Sequence, residues 1–236
     1  MFLKFLKDLL MVVCRWGPFR DRNRGHLDLN DSQLKIIMPA KYVFMRSGEA
    51  THNAAFRQKG EEAFKDAAFR DARLTDEGVN QCNETGEELS SEFKQFHAIY
   101  TSPLTRCIQT AILMKQWIPC DNFNANDDLA ERRGGSRPCN ERRPLKEIRD
   151  EFEPLGLNCD LLTAADEEWN DLEPLTFVES RVVMFLRNLI PFYEETDACV
   201  LVVSHHDVLW TLLSGTDIKA GDTFVLDEDE FKELLY

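Results

Sequence analysis

The chain lacks most of the sequence devices that announce a function. Its seven cysteines contain no C-x-x-C pair and no metal-finger spacing. An odd number of thiols with no secretory signal points to a reducing, cytoplasmic setting, not to a disulfide framework or a zinc site. There is no G-x-x-x-x-G-K-[ST] loop to cradle a nucleoside triphosphate, and no G-x-S-x-G elbow for a serine hydrolase. The apolar run at residues 9–14 is too short to span a bilayer, and Lys7 and Asp8 interrupt a signal-peptide core. Basic residues are in deficit, 28 against 42 acidic, for a formal charge of −14. That balance argues against broad nucleic-acid binding or a strongly basic membrane surface.

What is present is ordinary globular material: 236 residues, 43% of them apolar, enough for one sizeable α/β domain. Tyr42, Val43, Phe44 and Met45 read as a short strand buried on both faces, followed at once by Arg46-Ser47-Gly48-Glu49. Similar runs cover residues 98–101 and 199–203, the latter ending in Ser204-His205-His206-Asp207, and residues 223–226 form a last strand. Thr75 reads as the N-cap of a helix reaching about Phe96, with Asp76 and Glu77 facing its positive end. Ser102-Pro103 opens another, with Pro103 in the first turn. Helical patterns recur over residues 145–152, 177–192 and 208–213. Residues 54–73 read as a polar segment, 129–143 as irregular and rich in arginine, and the acidic tail as solvated surface. Strands alternating with helices predict a three-layer α/β/α sandwich with a mainly parallel central sheet.

Residues 1–40 differ from the domain at 41–236. Phe2, Leu3, Leu6, Leu9, Leu10 and Val13 recur at helical spacing before a polar linker. A helix docked on the domain is favoured over membrane contact through residues 1–16.

Arg46, Arg106 and His205 each follow a predicted buried strand, which is where open α/β sheets bind ligands. If those strands are neighbours, two forked guanidiniums and an imidazole converge on one crevice, and helix N-termini add N–H donors. The inference is an anion site.

The same residues carry a family resemblance. Arg46-Ser47-Gly48-Glu49, Leu74-Thr75-x-x-Gly78-x-x-Gln81, Ser102-Pro103-Leu104-x-Arg106-x-x-Gln109-Thr110-Ala111 and Val203-Ser204-His205 resemble, in order, the motifs of the histidine phosphatase superfamily, the phosphoglycerate-mutase-like group. Leu129-Ala130-Glu131-Arg132 resembles the segment holding that family's proton donor, and residues 139–144 resemble an insertion of small phosphatase-like members. The resemblance implies that Arg46 and Arg106 clamp a phosphoryl group and Asn53 adds a hydrogen bond. It implies further that His205 stabilises the group in transfer and Glu131 protonates the leaving oxygen. It implies no metal and no cofactor.

The family's nucleophile is a histidine directly after the first arginine, and here that position is Ser47. A hydroxyl without an adjacent base is a poor nucleophile, so the resemblance implies phosphomonoester binding with hydrolysis lost or very slow. The alternative is an active phosphomonoesterase in which His52 or His206 stands in. A serine hydrolase built on Ser47 and His205 fails for want of an oxyanion motif. A metal site from His205, His206 and Asp207 fails because successive residues at a strand end point to different sides. Arg132 and Arg137 are expected near the pocket, where they would receive further anionic groups of a polyphosphorylated substrate. The expected partner is a phosphorylated small molecule or phosphoprotein, not nucleic acid.

Overall fold

The computed structural model describes residues 39–164, 171–194 and 196–236, together with the strand pairs β1 (His26–Leu27) and β2 (Ile36–Ile37), which run antiparallel to each other. The helix expected near the amino end lies outside the described residues.

A five-stranded sheet organises the domain. Its strands are β3 (Lys41–Arg46), β4 (Ala98–Thr101), β5 (Phe123–Ala125), β6 (Cys199–Ser204) and β7 (Thr223–Asp227), in the spatial order β5-β4-β6-β3-β7. The first four positions in that order are parallel, and β7 closes the edge antiparallel to β3. The sheet is therefore mixed, as the parallel majority predicts, with one reversed edge. Direction is not encoded in a short apolar run, so the reversal left no mark on the sequence.

Successive residues of a strand face opposite ways, and β3 loads both faces. Tyr42 and Phe44 join a core with Val182, Leu186, Leu209 and Phe231; Val43 and Met45 join a second with Cys82, Ile108, Met114 and Ile148. The helices are α1 (Thr51–Lys59), α2 (Glu62–Lys65), α3 (Asp76–Glu92), α4 (Thr105–Trp117), α5 (Leu145–Phe152), α6 (Leu175–Tyr193), α7 (His206–Leu212) and α8 (Glu228–Leu235). Helices α6, α7 and α8 cover the first face, and α3, α4 and α5 the second, which completes the three layers.

Local chemistry accounts for the boundaries. Thr75 caps α3 by accepting from the Gly78 N–H, but the helix stops at Glu92, short of the expected Phe96. Pro103 lies two residues before α4, not in its first turn, and apolar Leu104 occupies the N-cap position. The cap is supplied from outside: Asp71 accepts from the Thr105 N–H at 2.8 Å and from its hydroxyl at 2.5 Å. The acidic tail is a docked helix that keeps Asp229, Glu230 and Glu233 exposed to solvent, as expected, while its apolar residues face the core. Asp227 and Glu230 form a capping box, and fully buried Phe231 stacks on Tyr42 with centroids 3.7 Å apart. The segment 54–73 also holds helical structure, chiefly α1 and α2. Among the described residues no helix is long and apolar enough to cross a membrane.

Candidate active site

Strand order sets the site. Because β6 lies between β4 and β3, the carboxyl ends of all three open on one side of the sheet. Arg46 is the last residue of β3, His205 follows β6, and Arg106 is the second residue of the helix after β4. All three line a cavity of about 410 Å³ together with Ser47, Asn53, Glu131 and Arg137. Asn53 thus reaches the cavity from α1, and Arg137 and Glu131 from the loop before α5. Arg132 does not line it: its Nε donates to the Glu173 carbonyl at 2.5 Å.

Two glycines hold the first loop in register. A Cβ on Gly48 would fall 2.5 Å from the Gly78 carbonyl oxygen, and one on Gly78 would fall 2.1 Å from that of Glu49. Backbone thus meets backbone between the loop after β3 and the start of α3. Ser47 and Gly48 are further fixed by hydrogen bonds from their N–H groups to the Ser204 carbonyl and the Thr110 hydroxyl.

Each guanidinium is aimed by the protein. Arg46 donates from Nη1 to the Ile218 carbonyl at 2.5 Å. Arg106, only 3% exposed, donates from Nη1 to the Cys139 carbonyl at 2.7 Å and from Nη2 to Asn140 Oδ1 at 3.1 Å. These bonds use one donor of five on Arg46 and two of five on Arg106, so both forks keep N–H capacity for an anion. Burial, with repulsion from Arg106 as a lesser cause, holds Arg46 below its ordinary value, which a dianion between the two would relieve.

The other titratable groups are tuned by burial. His205 is 2% exposed and its Nε2 lies 2.6 Å from Ser102 Oγ. Its pKa falls well below the ordinary histidine value, first through burial and then through Arg106, so the ring is neutral. Glu131 is raised by burial and by repulsion from Asp207, although its carboxylate oxygens accept from the Arg132 and Asp207 N–H groups. It is therefore biased toward the protonated acid.

His52 is buried in the same cavity, and burial plus the two arginines lower its pKa to about 2. Asn53 accepts the Ala50 N–H on Oδ1, which turns its amide nitrogen toward His52 Nε2 at 3.0 Å and makes that nitrogen the acceptor. His206 bridges Asp207 at 2.9 Å and Asp217 at 3.1 Å, and the Asp207 contact raises its pKa. Among the described residues no group of three acidic, cysteine or histidine side chains could hold a metal ion.

Sequence reasoning did not single out Asn140, Ser102, Phe56 or Phe64 for the site. For the aromatics a signal existed: His52 and Phe56 are four apart in α1 and both line the cavity. For Asn140 and Ser102 spacing offers none.

Residues 42–233 match the model of the histidine phosphatase superfamily (branch 1). The chain belongs to that superfamily. Among solved structures, this histidine phosphatase domain is similar to Bacillus stearothermophilus YhfR, at 22% identity and TM-score 0.52 over 80% of this chain and 91% of that one. It is also similar to the ecdysone phosphate phosphatase of Bombix mori in complex with tungstate, at 15% identity and TM-score 0.60 over 80% and 90%. A third is the mycobacterial glucosyl-3-phosphoglycerate phosphatase in complex with VO3, at 16% identity and TM-score 0.52 over 79% and 92%. Comparison with curated proteins found no match.

Proposed function

We propose that the cavity binds the phosphoryl group of a phosphomonoester, and that this chain hydrolyses it very slowly or not at all, without a metal or cofactor. The observation that carries the reading is the shared lining of one cavity by Arg46, Ser47, Arg106, His205 and Glu131; the motif resemblance, not the cavity, is what puts Ser47 where the family's histidine stands. Two guanidiniums of fixed direction suit three equatorial phosphoryl oxygens, and a neutral His205 can hydrogen-bond the same group. Protonated Glu131 suits the leaving oxygen. Two similar structures were solved with tungstate and VO3, both oxyanions, which supports the anion reading.

Ser47 is the weak member. No carboxylate or imidazole is hydrogen-bonded to its hydroxyl among the described contacts, so nothing there takes its proton during attack. The buried free cysteines of the described residues fit a reducing, cytoplasmic setting.

A second reading, an active phosphomonoesterase, draws on His52, a neutral imidazole lining the same cavity. In that version His52 Nε2, released from the Asn53 amide, bonds to phosphorus through its lone pair as the P–O bond breaks, Glu131 protonates the departing oxygen, and water then cleaves the P–N bond. His206 suits this role less, because a proton-retaining ring between two carboxylates has no lone pair to offer.

The deciding experiment compares vanadate binding and p-nitrophenyl phosphate turnover in the native chain, Arg46→Ala and Ser47→His. Vanadate binding lost in Arg46→Ala, with turnover rising about 10³-fold or more in Ser47→His, is the expected result. Native turnover equal to that of Ser47→His would overturn the impaired-enzyme reading. Acid-labile phosphate on His52 would establish the second.

A further inference from the structure

Three flat side chains line the same cavity as the guanidinium pair. Phe56 of α1 stacks on Phe64 of α2 with centroids 5.0 Å apart and planes 28° apart, and the Arg137 guanidinium lies 5.2 Å over the Phe64 ring. Both ends of this stack are open: Phe56 is 40% exposed, and 26% of the Arg137 side chain is accessible. Exposed ring surface at the wall of a polar cavity recovers burial energy only when a ligand covers it. Aromatic and guanidinium faces both favour a planar partner.

The charges around the cavity narrow the ligand further. Arg132 is turned to the Glu173 carbonyl, Arg142 lies 3.3 Å from Asp127, and Arg143 bonds Asp71 at 2.8 Å and Glu151 at 2.9 Å. Arg137 itself is 3.7 Å from Glu61. On the other side His206 stands between two carboxylates, Asp207 and Asp217, and all three line the cavity. The arginine-rich loop is thus largely spent on partners within the chain, and at the rim Asp207 and Asp217 offset Arg137 and a proton-retaining His206, so no net positive charge is left to receive a second anionic group.

Resting on the phosphomonoester reading above, we propose that the site takes an aryl phosphate: one phosphoryl group on a planar, largely apolar ring that bears no second phosphate or carboxylate. The phosphoryl sits between Arg46 and Arg106, and the ring extends the Phe56–Phe64–Arg137 stack. Such a substrate also suits the chemistry. A phenol has a pKa near 10, far below that of an aliphatic alcohol, so its oxygen departs with less help from a weak nucleophile.

Titration calorimetry on the native full chain with orthophosphate, phenyl phosphate, glycerol 3-phosphate and 3-phosphoglycerate tests this. Phenyl phosphate should bind about tenfold more tightly than glycerol 3-phosphate, with 3-phosphoglycerate the weakest ester. Phe56→Ala, at an exposed position, and the volume-conserving Phe64→Leu should each narrow the first gap to about twofold. Equal affinities for the three esters, tightest binding of 3-phosphoglycerate, or a gap that survives both substitutions would overturn the aryl assignment. Failure of the underlying phosphate reading looks different: all four ligands, orthophosphate included, would bind the native chain no better than Arg46→Ala.

Discussion

Asn140 Oδ1 accepts a hydrogen bond from Arg106 Nη2 at 3.1 Å, while its amide nitrogen donates to the Arg132 carbonyl at 2.9 Å. One buried amide therefore ties the guanidinium from α4 to the loop that carries Glu131. Arg106 is aimed by a residue that sits 34 positions away in the chain.

Asn140→Ala should lower vanadate affinity by about tenfold, because the fork loses its brace while its charge stays. Arg106→Ala should cost about 100-fold or more, since a charge-assisted contact is removed outright. Equal losses in the two variants, read by calorimetry, would show that Asn140 contacts the anion itself.

Asp71 is 3% exposed and serves three partners: the Thr105 N–H, the Thr105 hydroxyl and Arg143 Nε at 2.8 Å. Asp71→Ala removes the cap of α4 and leaves Arg143 with Glu151 and the Thr105 hydroxyl. We expect a stability loss of about 3 kcal/mol by urea denaturation. A loss below about 1 kcal/mol would mean that water replaces the carboxylate.

Acid should weaken the fold through its buried rings. His52 and His205 have folded pKa values below the ordinary 6.5, so the unfolded chain binds more protons and stability falls as pH drops below about 6.5. Each contributes up to about 1.4 kcal/mol per pH unit. His206, raised by Asp207, works in the opposite sense near neutrality, so the diagnostic is a difference. His52→Gln should flatten the stability curve between about pH 6 and pH 4 relative to the native chain; an unchanged slope would mean that His52 is charged in the fold.

Glu131 runs the other way. Its raised folded pKa means that the folded state holds the proton longer, and its contribution to stability is lost as pH rises through that value. Glu131→Gln should therefore be the more stable protein at neutral pH, with the two curves meeting in acid. In a Ser47→His background, turnover of an alkyl phosphate should fall as pH rises through the same value, and Glu131→Gln should abolish that limb.

Arg46 and His205 were legible because each stands at the mouth of an apolar run, and a charge at that point has few structural uses. The fold followed from the alternation of such runs with helical patterns. Three things were hidden for physical reasons. Phe56 and Phe64 lie in a segment whose polar composition masks helices of nine and four residues. Phe231, Leu234 and Leu235 form an apolar stripe in α8, but the acids between them make the tail read as solvent-facing. Arg132 and Arg137 look alike in sequence; only the positions of Glu173 and Phe64 decide which one faces the cavity.

The strand bearing Arg46 has a consequence for how the molecule is made. Among the described residues β3 pairs with β6 and β7 alone, whose residues begin at Cys199. A ribosome releasing the chain exposes Tyr42, Val43, Phe44 and Met45 long before either partner emerges, so Arg46 stays unseated until the residues from Cys199 onward have been made. Chaperone demand during translation and loss of the whole site on late truncation both follow from that one pairing.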